Sequence, residues 1–399
     1  MDFPDGFSAM KPHSIYMDNH ATTRVDPRVF GAMRPWWSES YGNAASVSHS
    51  FGREAADAVN EARERIATAL NCSPVEIVFT SGATESDNLA LKGVLQAHAQ
   101  NGGLVVNAAE HRAVLDPARR LRRDGTLLTI VPVDDLGRVA PEAVFDALAE
   151  RTRLVSVMLA NNEVGAVNRV REIAEGCRER GVLVHCDASQ AIGRMPVDLA
   201  ELPVDLLSFT AHKLYGPKGV GALFVRKRDP AIPIRPLLDG GGHEHGLRSG
   251  TVPTPLVVGF AEAISIAAAE CQSEMERLRG LRDRLLAGIT HELDGVVLHG
   301  DQTDRLAGNL NLGFQGVNGD ALMTEVAARG LAVSSGSACT SANPEPSHVL
   351  RAMGVPERLA RASLRFGLGR FNTEQEVADA TAIVVEVVRT LRSRSVRPA

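Results

Sequence analysis

The chain has 399 residues, 44% of them hydrophobic and 23% charged, which is ordinary for a globular protein. This length is too great for one small core and predicts two packed lobes, or one large α/β domain with a smaller satellite. The net charge of −5 gives no overall basic field, so the composition does not favour a nucleic-acid partner.

The sequence predicts no apolar run long enough to span a bilayer. Residues 1–14 are polar, contain Pro and Gly, and lack the apolar core of a signal peptide. We therefore expect a cytoplasmic protein with no membrane partner. The five cysteines are scattered and form no C-x-x-C pair, which predicts neither a disulfide framework nor a cysteine-rich zinc site.

The first long element is a helix over about 53–70, where apolar residues recur at helical spacing. Short apolar runs rich in Val, Leu and Ile then predict strands, separated by helices at about 141–150 and 169–180. The predicted strands are 76–80, 104–107, 126–133, 154–159, 182–187 and 206–210. This alternation indicates an α/β fold with a mostly parallel, doubly wound sheet.

A long helical pattern over about 256–293 leads into a second, smaller α/β unit. Its predicted strands are near 309–314 and 363–368. We place the domain boundary within the long helix, which gives a large domain over 15–265. The small domain takes 266–399 together with residues 1–14.

The turn from Thr80 to Ser86 lies where a strand leads into a helix. Gly82 allows close approach of the backbone to a ligand, and free N–H groups at a helix start suit a phosphate. A simple helix cap, with Glu85 favouring the first turn, explains the same residues. The motif lacks the Gly-Lys-Ser/Thr ending of a nucleotide P-loop.

Asp187 and Lys213 are candidate site residues at the ends of predicted strands. Ligands bind at the carboxyl edge of open α/β sheets, and a buried carboxylate there requires a cation or hydrogen-bond donors. A protonated pyridine nitrogen meets that need for Asp187, although an N-cap role does so equally well. Of five lysines, Lys213 alone directly follows a predicted strand and adjoins a histidine. A Schiff-base lysine needs such a position, whereas surface exposure is the ordinary alternative.

Cys339 lies in a stretch of small and polar residues from Val333 to Pro344. The stretch has no apolar periodicity, which predicts an exposed, mobile loop. Cys72, Cys177, Cys186 and Cys271 instead fall in or beside predicted strands and helices. Cys339 is therefore the strongest candidate nucleophile.

In combination these motifs resemble those of cysteine desulfurases of the NifS/IscS type, which have the class V fold of pyridoxal-phosphate-dependent aminotransferases. The resemblance runs in order from about Tyr16 to Phe371. It is carried by residues 16–23 (Tyr-Met-Asp-Asn-His-Ala-Thr-Thr), 80–88, 110–116, 161–165, 187–190, 248–251 and the turns around Lys213 and Cys339.

The resemblance implies the cofactor pyridoxal 5′-phosphate, bound as a Schiff base to Lys213. Asp187 would hold the pyridine nitrogen and Gln190 the phenolic oxygen. His111 would stack on the ring as an acid/base group, although a hydrogen-bonded packing role is its ordinary alternative. Further expected ligands of the cofactor are Ala83, Thr84, Thr210 and His212, with Asn162 also at the cofactor.

The same resemblance implies that Asn162 and Arg365 hold the carboxylate of the substrate L-cysteine. Cys339 would take the sulfur as a persulfide and release L-alanine, and an acceptor protein would then receive the sulfur for iron–sulfur clusters or thiolation. Thr251 would reach the phosphate of the partner subunit, which implies a homodimer. The short segment after the last predicted helix leaves docking of an iron–sulfur scaffold open.

Three alternatives remain at this point. The first is another reaction on the same fold, such as transamination or selenocysteine lysis, although a transaminase does not need the nucleophile of the cysteine loop. The second is an inactive binding scaffold, which the retention of Lys213, Asp187, His111 and Cys339 disfavours. The third is a metal at His243 and His245, for which we identify no third ligand, so no metal site is assigned.

Overall fold

The computed structural model describes residues 14–98, 102–335 and 346–395. Its strands are β1 (Ile15–Tyr16), β2 (Ile77–Thr80), β3 (Gly103–Asn107), β4 (Leu127–Val131), β5 (Thr152–Ser156), β6 (Leu183–Asp187), β7 (Leu206–Thr210), β8 (Gly221–Val225), β9 (Val296–Leu298), β10 (Asn309–Phe314), β11 (Leu331–Ala332) and β12 (Ser363–Gly367).

The helices are α1 (Pro27–Met33), α2 (Pro35–Ser38), α3 (Ser50–Leu70), α4 (Ala83–Ala97), α5 (Arg112–Arg123), α6 (Pro141–Asp146), α7 (Val170–Glu179), α8 (Thr254–Glu292), α9 (Gly319–Ala328), α10 (His348–Ala352), α11 (Glu357–Arg361) and α12 (Glu374–Ser395). A short 3₁₀ turn, Ala211–Lys213, follows β7 directly.

The largest sheet in the described part of the chain has seven strands, in the order β2-β8-β7-β6-β5-β3-β4. The strands β3 to β7 run parallel, whereas β8 is antiparallel to both of its neighbours. Alternate side chains enter different cores because a strand presents successive residues to opposite faces. Leu104 and Val106 pack in one hydrophobic cluster, and Val105 packs in another. The predicted doubly wound, mostly parallel sheet is confirmed.

A separate hydrophobic cluster forms around β10, β12, α9 and α12, and includes the second half of α8. Ile15 and Met17 pack in this cluster because β1 pairs with β11. Ile266 and Ala267 pack instead with the large sheet. The division of the chain at about residue 265 stays a prediction.

The helix α8 corrects one expectation. It contains an 18-residue window with a mean hydropathy of 1.4, so by length and composition alone the chain does have a stretch able to cross a membrane. Apolar side chains such as Val257, Phe260 and Ile264 are buried in the hydrophobic cluster that packs on the large sheet. Long core helices of soluble proteins have the same composition, because both faces of the helix contact protein.

The carboxyl ends of β2, β6 and β7 lie at the same edge of the sheet. The strand β2 is antiparallel to β8, which is antiparallel to β7, so β2 and β7 point the same way. This topology brings Thr80, Asp187 and Thr210 to one edge. That edge carries the candidate site, as expected for an open α/β sheet.

Candidate active site

A cavity of about 460 Å³ opens to solvent at this edge of the sheet. It is formed by residues that follow β2, β6 and β7, together with side chains from the segment after β1, the start of α5, and β12. The predicted site residues that line it are Ala83, Thr84, His111, Asn162, Asp187, Gln190, Thr210, His212, Lys213 and Arg365.

The turn between β2 and α4 forms one wall. Gly82 precedes α4 with φ at +152°, a conformation that favours glycine. The Ser81 N–H donates to Glu85 at 2.8 Å, and Arg248 donates to the other oxygen of Glu85 at 2.9 Å. Burial raises the pKa of Glu85, but these donors outweigh it and the pKa lies below its ordinary value. A charged Glu85 thus fixes the turn.

Asp187 ends β6 and accepts a hydrogen bond from the Ser189 N–H at 2.9 Å. Its carboxyl group is buried at the cavity wall. Gln190, on the next turn, donates from Nε2 to the His20 carbonyl at 2.9 Å, and its amide oxygen accepts from Arg194 at 2.9 Å. These contacts fix the orientation of both side chains.

Lys213 ends the 3₁₀ turn after β7, and its amine faces the segment after β1. The Nζ donates to the carbonyl oxygen of Ala21 at 2.7 Å and also to that of His20. The neighbouring His212 is linked to the Thr22 hydroxyl at 3.1 Å, and burial, with the charge of Lys213, lowers its pKa to about 4. Lys213 is therefore held at the cavity rather than at the outer surface.

His111 caps α5, and its Nδ1 accepts a hydrogen bond from the Ala113 N–H at 3.1 Å. Burial lowers the pKa of His111, and the nearby Asp187 carboxylate opposes that effect only in part. The ring is therefore neutral near pH 7 and able to accept a proton.

Arg365 enters the cavity from β12, and its side chain is only 3% exposed. One guanidinium nitrogen pairs with Asp18 at 2.7 Å, and another donates to the Asn162 carbonyl at 3.2 Å. Its Nε is buried without a hydrogen-bond partner among the described residues. A buried guanidinium in the cavity that Lys213 also lines suits a small carboxylate ligand.

Two predicted site residues are not brought into this cavity by the described structure. Thr251 is exposed and is not among the residues that line the cavity. Cys339 lies outside the described residues. The four described cysteines are poor nucleophiles, because burial raises the pKa of Cys72 and Cys177 to about 12 and raises those of Cys186 and Cys271 as well.

The cavity also contains residues that the sequence analysis did not assign to it. His20 and Thr22 line it from the segment after β1, and Ser189 and Lys218 line it from the turns beyond β6 and β7. The signal available in the sequence was that His20 and Thr22 belong to the polar stretch over 16–23 that carries the resemblance, and Ser189 to the turn after Asp187.

Comparison with known proteins places the chain in a family. The aminotransferase class-V family matches residues 15–379. A "cysteine desulfurase IscS" of Anaeromyxobacter sp. strain Fw109-5 is 52% identical, over 96% of this chain and 94% of the relative. This chain belongs to the cysteine desulfurases of the class-V aminotransferase family. The predicted family and fold class are thereby confirmed.

Solved structures agree with this placement of the desulfurase. A NifS-like protein superimposes with a TM-score of 0.88 at 38% identity, covering 95% of this chain and all of that one. The structure described as "SspA in complex with cysteine" has a TM-score of 0.78 at 33% identity, over 90% of this chain and 99% of that one. The family depends on pyridoxal phosphate.

Proposed function

We propose that this enzyme transfers the sulfur of L-cysteine to its own Cys339 and releases L-alanine. The observation that carries the proposal is the convergence of Lys213, Asp187 and Arg365 on one cavity. A lysine amine, a buried carboxylate and a buried guanidinium are the groups needed to hold an amino acid at a pyridoxal cofactor.

The residues of the cavity fit pyridoxal phosphate. The Ser189 hydroxyl is buried without a hydrogen-bond partner among the described residues, and Gly82 opens the start of α4. Asp187 would hold the pyridine nitrogen, Gln190 the phenolic oxygen and Lys213 the aldehyde carbon. The phosphate would lie on Ala83, Thr84, Thr210 and His212. When bound, the cofactor would supply an electron sink for the electrons left on the cysteine α-carbon when its proton is removed.

The chain's own groups move the protons and the sulfur. Arg365 holds the substrate carboxylate with Asn162, and Lys213 Nζ takes the α-proton. The Cys339 thiolate attacks the substrate sulfur, so that a sulfur–sulfur bond forms and the carbon–sulfur bond breaks. The electron pair of that bond remains on carbon, which takes a proton and becomes the methyl group of alanine. Neutral His111 is available as the acid/base group.

The remaining proposals concern assembly and delivery. Thr251, exposed on this chain, would complete the phosphate site of a partner subunit in a homodimer. An acceptor protein, for iron–sulfur clusters or thiolation, would take sulfur from Cys339 in the cytoplasm. The large domain over 15–265 would hold the cofactor, and the small domain over 266–399 with 1–14 would carry Cys339.

The test is Cys339→Ser, with the half-buried Cys271→Ser as its matched control. A hydroxyl is a far weaker nucleophile than a thiolate, so Cys339→Ser should keep the bound cofactor but lose alanine release and the persulfide. Alanine is measured after L-cysteine addition, and the persulfide by mass spectrometry. Equal alanine release by Cys339→Ser and wild type would overturn the proposal, as would activity of the wild type on selenocysteine alone.

A further inference from the structure

Arg365 forms an ion pair with Asp18, an aspartate that does not line the cavity. Asp18 Oδ1 lies 2.7 Å from a terminal guanidinium nitrogen of Arg365. Its side chain is 18% exposed, and it is not among the residues lining the cavity. Arg365 therefore lies between Asp18 and the space available to a ligand.

The backbone around Asp18 is fixed on both sides. Asp18 forms a parallel bridge with Gly367 at the end of β12, two residues beyond Arg365. Its carbonyl oxygen accepts from the Ala21 N–H at 2.9 Å and from the Tyr16 hydroxyl at 3.1 Å. The Asp18 carboxylate thus has a defined position relative to β12.

The same short segment holds the amine of Lys213. Carbonyl oxygens of His20 and Ala21 accept from Lys213 Nζ, while the Asp18 carboxylate pairs with Arg365. The turn from Asp18 to Ala21 therefore sets the distance between the Arg365 guanidinium, proposed to hold the α-carboxylate, and the Lys213 amine, proposed to take the α-proton.

We propose that Asp18 is a positioning residue that orients Arg365 toward the substrate carboxylate, and so selects amino acids with a free α-carboxylate. This inference rests on the proposed function of Arg365. Among the described residues, Asp18 holds one terminal nitrogen and the Asn162 carbonyl holds the other, which leaves the remaining N–H bonds of these two nitrogens for the ligand. A guanidinium fixed in this way loses less freedom when the carboxylate binds.

The first experiment compares Asp18→Asn with wild type on L-cysteine and on L-cysteine methyl ester. The amide keeps an acceptor but loses the charge, and charge-assisted bonds are about twice as strong as neutral ones. We expect KM for L-cysteine to rise about tenfold with kcat changed less than about threefold. Turnover of the ester, which lacks the charged carboxylate, should be the same in both proteins.

A purely structural role for Asp18 gives a different result. Loss of a stabilising ion pair would reduce the amount of active enzyme, which lowers the apparent kcat and leaves KM unchanged. The matched control is Asp205→Asn. This change removes the charge of a similarly buried aspartate, which pairs with Arg228 at 2.6 Å and does not line the cavity. An Asp18→Asn variant that behaves like Asp205→Asn would overturn the inference.

The second experiment is a double-mutant cycle with Arg365→Lys. If Asp18 acts through Arg365, Asp18→Asn should have almost no further effect on KM in the Arg365→Lys background. Additive effects would contradict the proposal. Calorimetric binding of L-alanine needs no sulfur transfer and should weaken about tenfold in Asp18→Asn. Unchanged alanine affinity refutes the role of Asp18, whereas failure of the wild type to release alanine from cysteine refutes the proposed function instead.

Discussion

Glu163 is a buried carboxyl group next in sequence to Asn162, whose carbonyl accepts a hydrogen bond from Arg365. It is 3% exposed, and its carboxyl group accepts a hydrogen bond from the hydroxyl of Ser347, which caps α10. Burial raises its pKa from 4.5 to about 7, although the Ser347 hydroxyl and the charges of Arg365 and Arg112 act in the opposite direction. At neutral pH this side chain is therefore close to its titration point.

This pKa predicts how stability depends on pH. Between pH 4.5 and 7 the folded protein binds the Glu163 proton more tightly than the unfolded chain, so its contribution to stability falls as pH rises. Glu163→Gln keeps a neutral side chain and removes that loss. The free energy of unfolding of the variant, minus that of wild type, should therefore rise by about 3 kcal/mol from pH 4 to pH 8.

Urea unfolding at several pH values measures this difference, since other titrating groups are common to both proteins. The exposed Glu357, paired with Arg361, provides the control Glu357→Gln, for which the difference should stay nearly constant. A constant difference for Glu163→Gln would contradict the assignment.

Single residues differed in how far the sequence predicted them. Asp187 and Lys213 were found because Asp187 ends a strand with a recognisable apolar pattern and Lys213 lies directly after another. Asp18 was missed as a functional residue because it follows a strand of only two residues, which has no periodicity to detect. Its importance depends on a contact with Arg365, 347 positions away, which no local pattern reveals.

At the level of elements, the start of α4 depends on two glycines. Gly82 has a positive φ, and a methyl group added to Gly221 of β8 would lie 2.7 Å from the Gly82 Cα. The turn after β2 therefore packs directly on the neighbouring strand. This close contact fixes the N–H groups at the helix start, where an anion is favoured.

Gly82→Ala should weaken the binding of the cofactor more than it destabilises the fold. An alanine at φ +152° is strained by about 1–3 kcal/mol, and relief of that strain moves the N–H groups of the turn. We expect the dissociation constant of pyridoxal phosphate to rise about tenfold or more. Absorbance titration of the apoprotein measures it.

Gly181→Ala is the control for this prediction. Gly181 also has a positive φ, at +70°, in the turn between α7 and β6, with open space around it. It should show a similar loss of stability with unchanged cofactor affinity. Equal affinities for all three proteins would show that the turn at Gly82 does not bind the phosphate.

Element boundaries were predicted within a few residues where the apolar pattern was strong, as in β7 and β10. The strand β8 was not predicted. It follows the run Gly216-Pro217-Lys218-Gly219, whose composition is typical of a turn, and its antiparallel direction departs from the parallel pattern around it. Pairing on both sides, with β2 and β7, stabilises it as a strand.

At the scale of the whole molecule, charged residues connect the segment after β12 with the N-terminal segment and with α8. Arg370, just beyond β12, pairs with Asp26 at 2.7 Å and with Glu270 of α8 at 3.3 Å. Asp26 also caps α1 and pairs with Arg28 at 2.8 Å. Hydrogen bonds from Arg28 and then Arg370 outweigh its burial and hold the pKa of Asp26 well below its usual range.

Asp26→Asn should therefore destabilise the protein at neutral pH by about 2 kcal/mol, since the amide keeps the cap but not the charge. The depressed pKa means that this stabilisation is present above about pH 4 and is lost as pH falls. The difference from wild type in urea unfolding should shrink with acidification. The exposed pair Asp116–Arg119 supplies the control Asp116→Asn, with an expected effect below about 0.5 kcal/mol. Equal effects of the two variants would exclude a connecting role for Asp26.

The pairing of β1 with β11 has a consequence for synthesis on the ribosome. Every strand of the large sheet lies between residues 77 and 225, so that sheet can assemble as soon as those residues have emerged. Ile15 and Tyr16 are made long before, yet their partners are Leu331 and Ala332. Domains generally fold as they are synthesised, N-terminal regions first. In this enzyme we expect the N-terminal residues to stay unpaired after the large sheet has folded. Ile15 and Met17 would then be exposed to chaperones until the last quarter of the chain has been synthesised.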